Sequence, residues 1–97
     1  MTAVHVVDNP AAHRFEADVG GQVAVLDYRR QGSMIDLAHT QVPPALEGQG
    51  VGSQLARAAL DAARSEGLTV MASCSFVRAF IARHPEYQSL LAASERA

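Results

Sequence analysis

Glu47-Gly48-Gln49-Gly50-Val51-Gly52-Ser53-Gln54-Leu55 decides how this chain folds, because three glycines at alternate positions separate a strand-like run from a helix-like one. Glycine reaches positive φ without steric cost and lets the backbone come close to a bulky anion. A helix beginning there presents unpaired N–H groups and the positive end of its dipole at the same place. Phosphate suits such a junction, and the main-chain N–H groups of Gln49, Val51 and Ser53 are its expected donors. A tight turn alone seldom needs three glycines.

Upstream of this stretch, Pro43-Pro44 cannot continue a sheet ladder, so the preceding strand stops there. Downstream, Val51 to Glu66 is rich in Ala, Leu, Arg and Gln. Val51, Leu55, Ala58, Ala59, Ala62 and Ala63 fall near one helical stripe, and Gly67 supplies the stop. The alanines permit close approach of this helix to a sheet. Further out, Arg14 to Val19 alternates with Phe15, Ala17 and Val19 on one face, Gly20-Gly21 reads as a hairpin turn, and Gln22 to Arg29 is a second strand. Met34 to about Val42 makes a third strand, Leu68 to Ser73 a fourth, and Phe76 to about Arg83 a second helix that ends at His84-Pro85. The expected order is β-β-β-α-β-α, with a right-handed, parallel crossover around the helix. Residues 92–97 are expected to fray.

Ninety-seven residues, 48% of them hydrophobic, suffice for a single domain over residues 1–97. Eight basic against ten acidic residues leave no strong field for a nucleic-acid backbone. Cys74 is the one cysteine, so no internal disulfide forms, which fits a reducing cytoplasm. A run apolar enough to span a membrane and an export leader are both missing from the pattern. All the basic side chains are arginines, which excludes a lysine Schiff base and a P-loop lysine. A dinucleotide fold of the Rossmann type fails as well, since three strands precede the loop and Val70, not an acidic residue, stands twenty positions beyond Gly50.

The glycine loop resembles the motif Arg/Gln-x-x-Gly-x-Gly/Ala of the GNAT superfamily of acetyltransferases. His39-Thr40-Gln41-Val42-Pro43, Ser73-Cys74-Ser75-Phe76-Val77 and His84-Pro85-Glu86-Tyr87 are similar to its short, stand-alone members of the YjdJ type. The resemblance implies a minimal α+β GNAT-like domain: a mostly antiparallel sheet of about four strands, a β-loop-α-β unit for coenzyme A, and two helices. It implies an acetyl-CoA-dependent N-acetyltransferase acting on an unidentified amine, with no metal. A non-catalytic acyl-CoA-binding module that has lost its acceptor site is the alternative. The implied CoA contacts are Val42, Gly48, Gln49, Gly50, Val51, Gly52, Ser53, Ser73 and Cys74, with pyrophosphate over residues 49–53 and pantetheine in a splay between the strands ending near Val42 and Ser73. Glu47 departs from the motif's Arg or Gln and places a carboxylate near the phosphates. The helices and strands that shape the acceptor site in longer GNAT enzymes are missing, so that site is open or completed by a second copy or partner chain.

Cys74 and His39 are the catalytic candidates. Cys74 precedes a helix, where N–H groups favour thiolate; it either accepts the acetyl group or protonates the leaving CoA thiolate, and packing as a small apolar filler is its bland role. His39, counted by twos, shares the face of Ile35 and Leu37, and an imidazole suits a general base. The resemblance offers Tyr87 as an acid for the departing thiolate, but its His84-Pro85-Glu86 neighbours favour a structural role; Tyr28 is read as a packing residue, Arg78 and Arg83 as solvent-facing, and Arg57 with Asp61 as a weak surface pair. His5 and His13 do not converge with Cys74, and a zinc site is not expected.

Overall fold

The protein is described by a computed structural model over residues 3–95. A five-stranded sheet runs in chain order, β1 (Val6–Asn9), β2 (Arg14–Val19), β3 (Gln22–Gln31), β4 (Met34–Gln41) and β5 (Thr69–Ala72). The first four strands pair antiparallel; β5 lies parallel to β4. The crossover between them is the helix α1 (Val51–Glu66), and a second helix, α2 (Ser75–Arg83), follows β5. These boundaries agree with the sequence pattern to within two residues, except that β1 lies in a stretch with no clear alternation. It is held by β2 along its length, by the Tyr28 hydroxyl donating to Asp8 at 2.7 Å, and by the Val4 N–H donating to the Gln54 side chain at 2.8 Å.

All the buried strand residues share one face of the sheet. Register places Phe15 beside Leu26, Ala17 beside Ala24, Tyr28 beside Leu37, and Ile35 and Leu37 beside Val70 and Ala72. Both helices cover that face, and the guanidinium of Arg57 on α1 lies 5.5 Å over the Phe80 ring of α2. Helix α1 contributes Leu55, Ala56, Ala59, Leu60 and Ala63, all essentially inaccessible, so its small residues sit directly on the strands. Its end is set by Gly67 at φ 68°, where the N–H groups of Gly67 and Leu68 reach the carbonyls of Arg64 and Ala63 at 3.2 and 2.8 Å. Among the described residues the opposite face of the sheet carries no helix, and its side chains range from half-buried to exposed.

One irregularity interrupts the sheet. Asp27 pairs with His39 and Tyr28 pairs with Leu37, which leaves Ala38 of β4 without a partner. An extra residue of this kind reverses the alternation beyond it. His39 therefore stands on the open face with Asp27, not beside Ile35 and Leu37 as counting by twos predicts. Thr40, opposite Leu26, takes the helix-covered face.

The chain end is tied down further than its small residues suggest. Ala92 donates to the Val70 carbonyl at 2.9 Å, and the Glu95 carboxylate accepts from the Ala72 N–H at 3.1 Å, so residues 92–95 dock on β5. The expectation of fraying at 96–97 lies outside the described residues. Among the described residues no helix is long and apolar enough to cross a membrane.

Burial and the neighbouring Asp8 push the Tyr28 hydroxyl up to about 12. A pKa raised in the folded state means stability that is fully present below the unfolded phenol value near ~10 and lost as pH climbs through the folded value. The melting temperature is expected to fall between about pH 10 and pH 12 more steeply in the wild type than in Tyr28→Phe, and equal slopes in a pH series of thermal melts would refute this assignment.

Candidate functional site

The site begins where β4 and β5 part. Their ladder ends at Leu37 and Ala72, followed by one more bond from the Cys74 N–H to the Leu37 carbonyl at 3.0 Å. Beyond it β4 continues to Gln41, paired only with β3, while the other chain turns into α2. The gap opens toward the glycine loop at the start of α1. A cavity of about 610 Å³ lies there, lined by His39, Thr40, Gln41, Val42, Leu46 and Glu47, by Gly48, Gly50, Val51, Gly52 and Ser53, and by Phe76.

Gly48 and Gly50 sit at φ 81° and 77°, conformations that other residues adopt at a cost, and Gly50 is the N-cap of α1. No side chain caps this helix end and its first turn carries no acidic residue. The N–H groups of Val51, Gly52 and Ser53 thus lack helical acceptors and face a cavity wide enough for a phosphate group. Gly52 serves a different purpose. A Cβ there would meet the Phe76 ring at 3.0 Å and Val42 at 3.5 Å, so its missing side chain lets the ring of α2 cross the mouth of the cavity. Glu47 is exposed and lines the same cavity.

Of the residues singled out from sequence, His39, Val42, Gly48, Gly50, Val51, Gly52 and Ser53 converge on this cavity. Gln49 turns its amide back to the Ala45 carbonyl at 3.2 Å. Ser73 belongs to the open face, where its N–H and hydroxyl donate to Asp36 at 3.2 and 2.9 Å. Cys74 lies behind the lining at 8% exposure, its sulfur 3.4 Å from the Thr40 hydroxyl, which does reach the cavity. Burial pushes the Cys74 thiol up, but the Thr40 hydroxyl and the backbone N–H groups of Val77, Phe76 and Thr40 together bring it below its ordinary value. The N–H groups of α2 close no cap hydrogen bond on the sulfur, so they act as oriented dipoles. His39 and Cys74 do not meet, because the unpaired Ala38 turns His39 to the open face while Cys74 sits against Thr40 on the helix-covered face.

Comparison with known proteins agrees with this architecture. The profile described as GCN5-related N-acetyl-transferase matches residues 14–90. The chain belongs to the GCN5-related N-acetyltransferase family. Among curated relatives of this family member, Protein NATD1 of Bos taurus is 40% identical over 68 residues, which cover 69% of this chain and 60% of that protein, and Protein NATD1 of Homo sapiens is 38% identical over 68 residues with the same coverage. The matched segment therefore spans less than two thirds of the length of these relatives. A GCN5-like protein from Staphylococcus aureus, solved in solution, superposes with a TM-score of 0.71 at 28% identity over 95% of this chain and 91% of that one.

Two side chains of this GCN5-related protein differ from the sequence expectation, and a third does more than expected. Arg78 is exposed as expected, and its guanidinium also donates to the Ala72 and Ser73 carbonyls at 2.8 and 3.3 Å, satisfying the end of β5. Arg57 and Asp61 are linked through Tyr87 instead of pairing with each other: the Arg57 guanidinium donates to its hydroxyl at 3.2 Å, the hydroxyl donates to Asp61 at 2.7 Å, and Arg64 stacks 4.9 Å over its ring. Buried in this way and away from the cavity, Tyr87 ties the segment after α2 to α1. Thr40 and Phe76 were not marked as site residues by their sequence. Only the reversed alternation beyond Ala38 and the absent Cβ of Gly52 reveal them.

Two outcomes follow for the family member's site. Gly52→Ala gains helix propensity of about 0.5–1 kcal/mol but crowds the Phe76 ring, so it is expected to be near neutral alone and stabilising in a Phe76→Ala background, as a double-mutant cycle of melting temperatures will measure. Thr40→Val removes the foremost group holding the Cys74 thiol down, so thiol ionisation, followed by alkylation rate against pH, shifts to higher pH; an unchanged profile would contradict the contact.

Proposed function

We propose that this chain binds acetyl-CoA and transfers its acetyl group to an amine, with pyrophosphate on the loop of residues 48–53 and pantetheine in the gap between β4 and β5. The observation that carries the proposal is the continuity of one cavity from the uncapped start of α1 to the gap flanked by His39 and by Thr40. A diphosphate fits the first region because main-chain donors converge there, and an extended thiol-bearing arm fits the second because the parting strands leave peptide groups unpaired. Val42 and Phe76 supply apolar walls between the two.

The placement of the two candidates on opposite faces suits a direct transfer. His39, on the open face, takes the proton of the attacking amine as its nitrogen bonds to the acetyl carbon. The carbon–sulfur bond breaks on the other side, where the thiol of Cys74, made more acidic by Thr40 and the α2 dipoles, gives its proton to the departing CoA thiolate through the Thr40 hydroxyl, which takes the thiol proton as it hands on its own. Product is the acetamide, and Cys74 recovers its proton from solvent. A covalent acetyl-Cys74 is disfavoured by this arrangement, since His39 does not reach the sulfur to activate it. The open face, with no helix over it among the described residues, leaves room for the acceptor or for a second chain.

Coenzyme A at a hundred times its dissociation constant is expected to stabilise the fold by about 2.7 kcal/mol, a rise in Tm of roughly 10 °C or more. His39→Ala should lower kcat by about 10²- to 10⁴-fold on an amine panel while leaving CoA affinity unchanged. Intact mass after incubation with acetyl-CoA should find no acetyl group on Cys74, and a stoichiometric adduct there would replace direct transfer with a covalent route. Binding without turnover of any amine leaves the non-catalytic acyl-CoA-binding module, which the Glu47 carboxylate on the cavity wall favours.

A further inference from the structure

The open face of the sheet is rich in charge, and nearly all of it is engaged. Glu16 accepts from Arg14 at 2.6 Å and from Asn9 at 3.1 Å. Asp36 is met by Ser73 and, at 3.7 Å, by Arg29. Asp18 accepts from the Gly21 N–H at 2.9 Å. Asp27 differs from these. It is half-buried on β3, and among the described residues its carboxylate has no hydrogen bond or ion pair. The two arginines nearest it on this face are committed elsewhere: Arg14, its register partner on β2, to Glu16, and Arg29, two residues along β3, to Asp36.

On its other side Asp27 is in register with His39. Residues paired in this way share a face with Cβ atoms about 5 Å apart, within reach of a carboxylate and an imidazole by side-chain rotation alone. His39 is exposed and also has no polar partner among the described residues, so nothing holds its ring in another position. The irregularity that leaves Ala38 unpaired is what sets the two opposite each other. A neutral imidazole has one N–H and one lone pair, and a base acts well only when the lone pair is the one aimed at the substrate.

We infer that Asp27 is the positioning residue of this site: its carboxylate accepts the N–H from one ring nitrogen of His39, fixes the tautomer, and leaves the other nitrogen free to take the amine's proton beside the gap between β4 and β5. Asp27 touches neither substrate nor cofactor and acts through His39 alone. The inference rests on the base role given to His39 above.

The test compares wild type, Asp27→Asn, Asp27→Glu and His39→Ala by ¹⁵N NMR of the imidazole and by acetyl-transfer kinetics on the full chain. In the wild type the His39 ring nitrogens are expected to report one predominant tautomer, and in Asp27→Asn a mixture. In kinetics Asp27→Asn should lose about tenfold or more in kcat with the KM for acetyl-CoA unchanged, and Asp27→Glu should recover part of it. Identical ring signals in wild type and Asp27→Asn overturn the inference, as does a kcat within twofold of wild type or a parallel loss of melting temperature and CoA affinity. If no amine is acetylated at all, or His39→Ala is fully active, the functional reading fails on its own, and the NMR comparison still decides whether Asp27 holds His39.

Discussion

Ala38 has no partner on β3, and the end of β4 turns over because of it. Before that residue, Ile35 and Leu37 point into the core; after it, Thr40 points in and His39 points out. The same stretch is where β5 leaves the ladder, with the Cys74 N–H making the last bond to Leu37. A strand that reverses its faces while losing a neighbour creates a gap with a polar hydroxyl on one side and an imidazole on the other. Had the alternation run on unbroken, Thr40 would lie outside and the sulfur of Cys74 would lose its hydrogen bond to the Thr40 hydroxyl.

The remainder of the fold holds this junction in place. Alanines at 56, 59 and 63 let α1 lie directly on the strands, which brings its uncapped first turn to the level of the gap. Bulkier side chains there would lift the helix and widen the distance between its N–H groups and β4. At the far end Tyr87, bound by Arg57 and Asp61 and stacked under Arg64, locks the segment after α2 onto α1. Arg78 satisfies the carbonyls at which β5 ends. Both helices thereby keep their N-termini directed at one cavity. Among the described residues both helices lie on one side of the five strands, and the other side carries no helix.

Much of this was legible in the chain. The three hairpin-linked strands, the stop at Pro43-Pro44, the helix from Val51 to Glu66 and its glycine end all follow from short-range rules of periodicity, ring geometry and positive φ. β1 was missed because Val6–Asn9 is four residues long with Val7 exposed, and its strand character comes from pairing with β2. Arg57 and Asp61 read in sequence as a surface pair with no link to Tyr87; α1 and the segment after α2 had to pack before both met its hydroxyl.

What the sequence by itself determined is the anion-ready helix start and the α+β order around it, because glycine spacing and proline act through the backbone of neighbouring residues. What only the tertiary structure decided is the sidedness of the site. His39 and Thr40 exchange faces through a register shift between two strands, and such a shift is a property of the pairing of Asp27 and Tyr28 with β4, not of any residue's own preference. The cavity mouth is likewise a tertiary fact. Gly52 on α1 and Phe76 on α2 meet there only because both helices pack on the same face of the sheet.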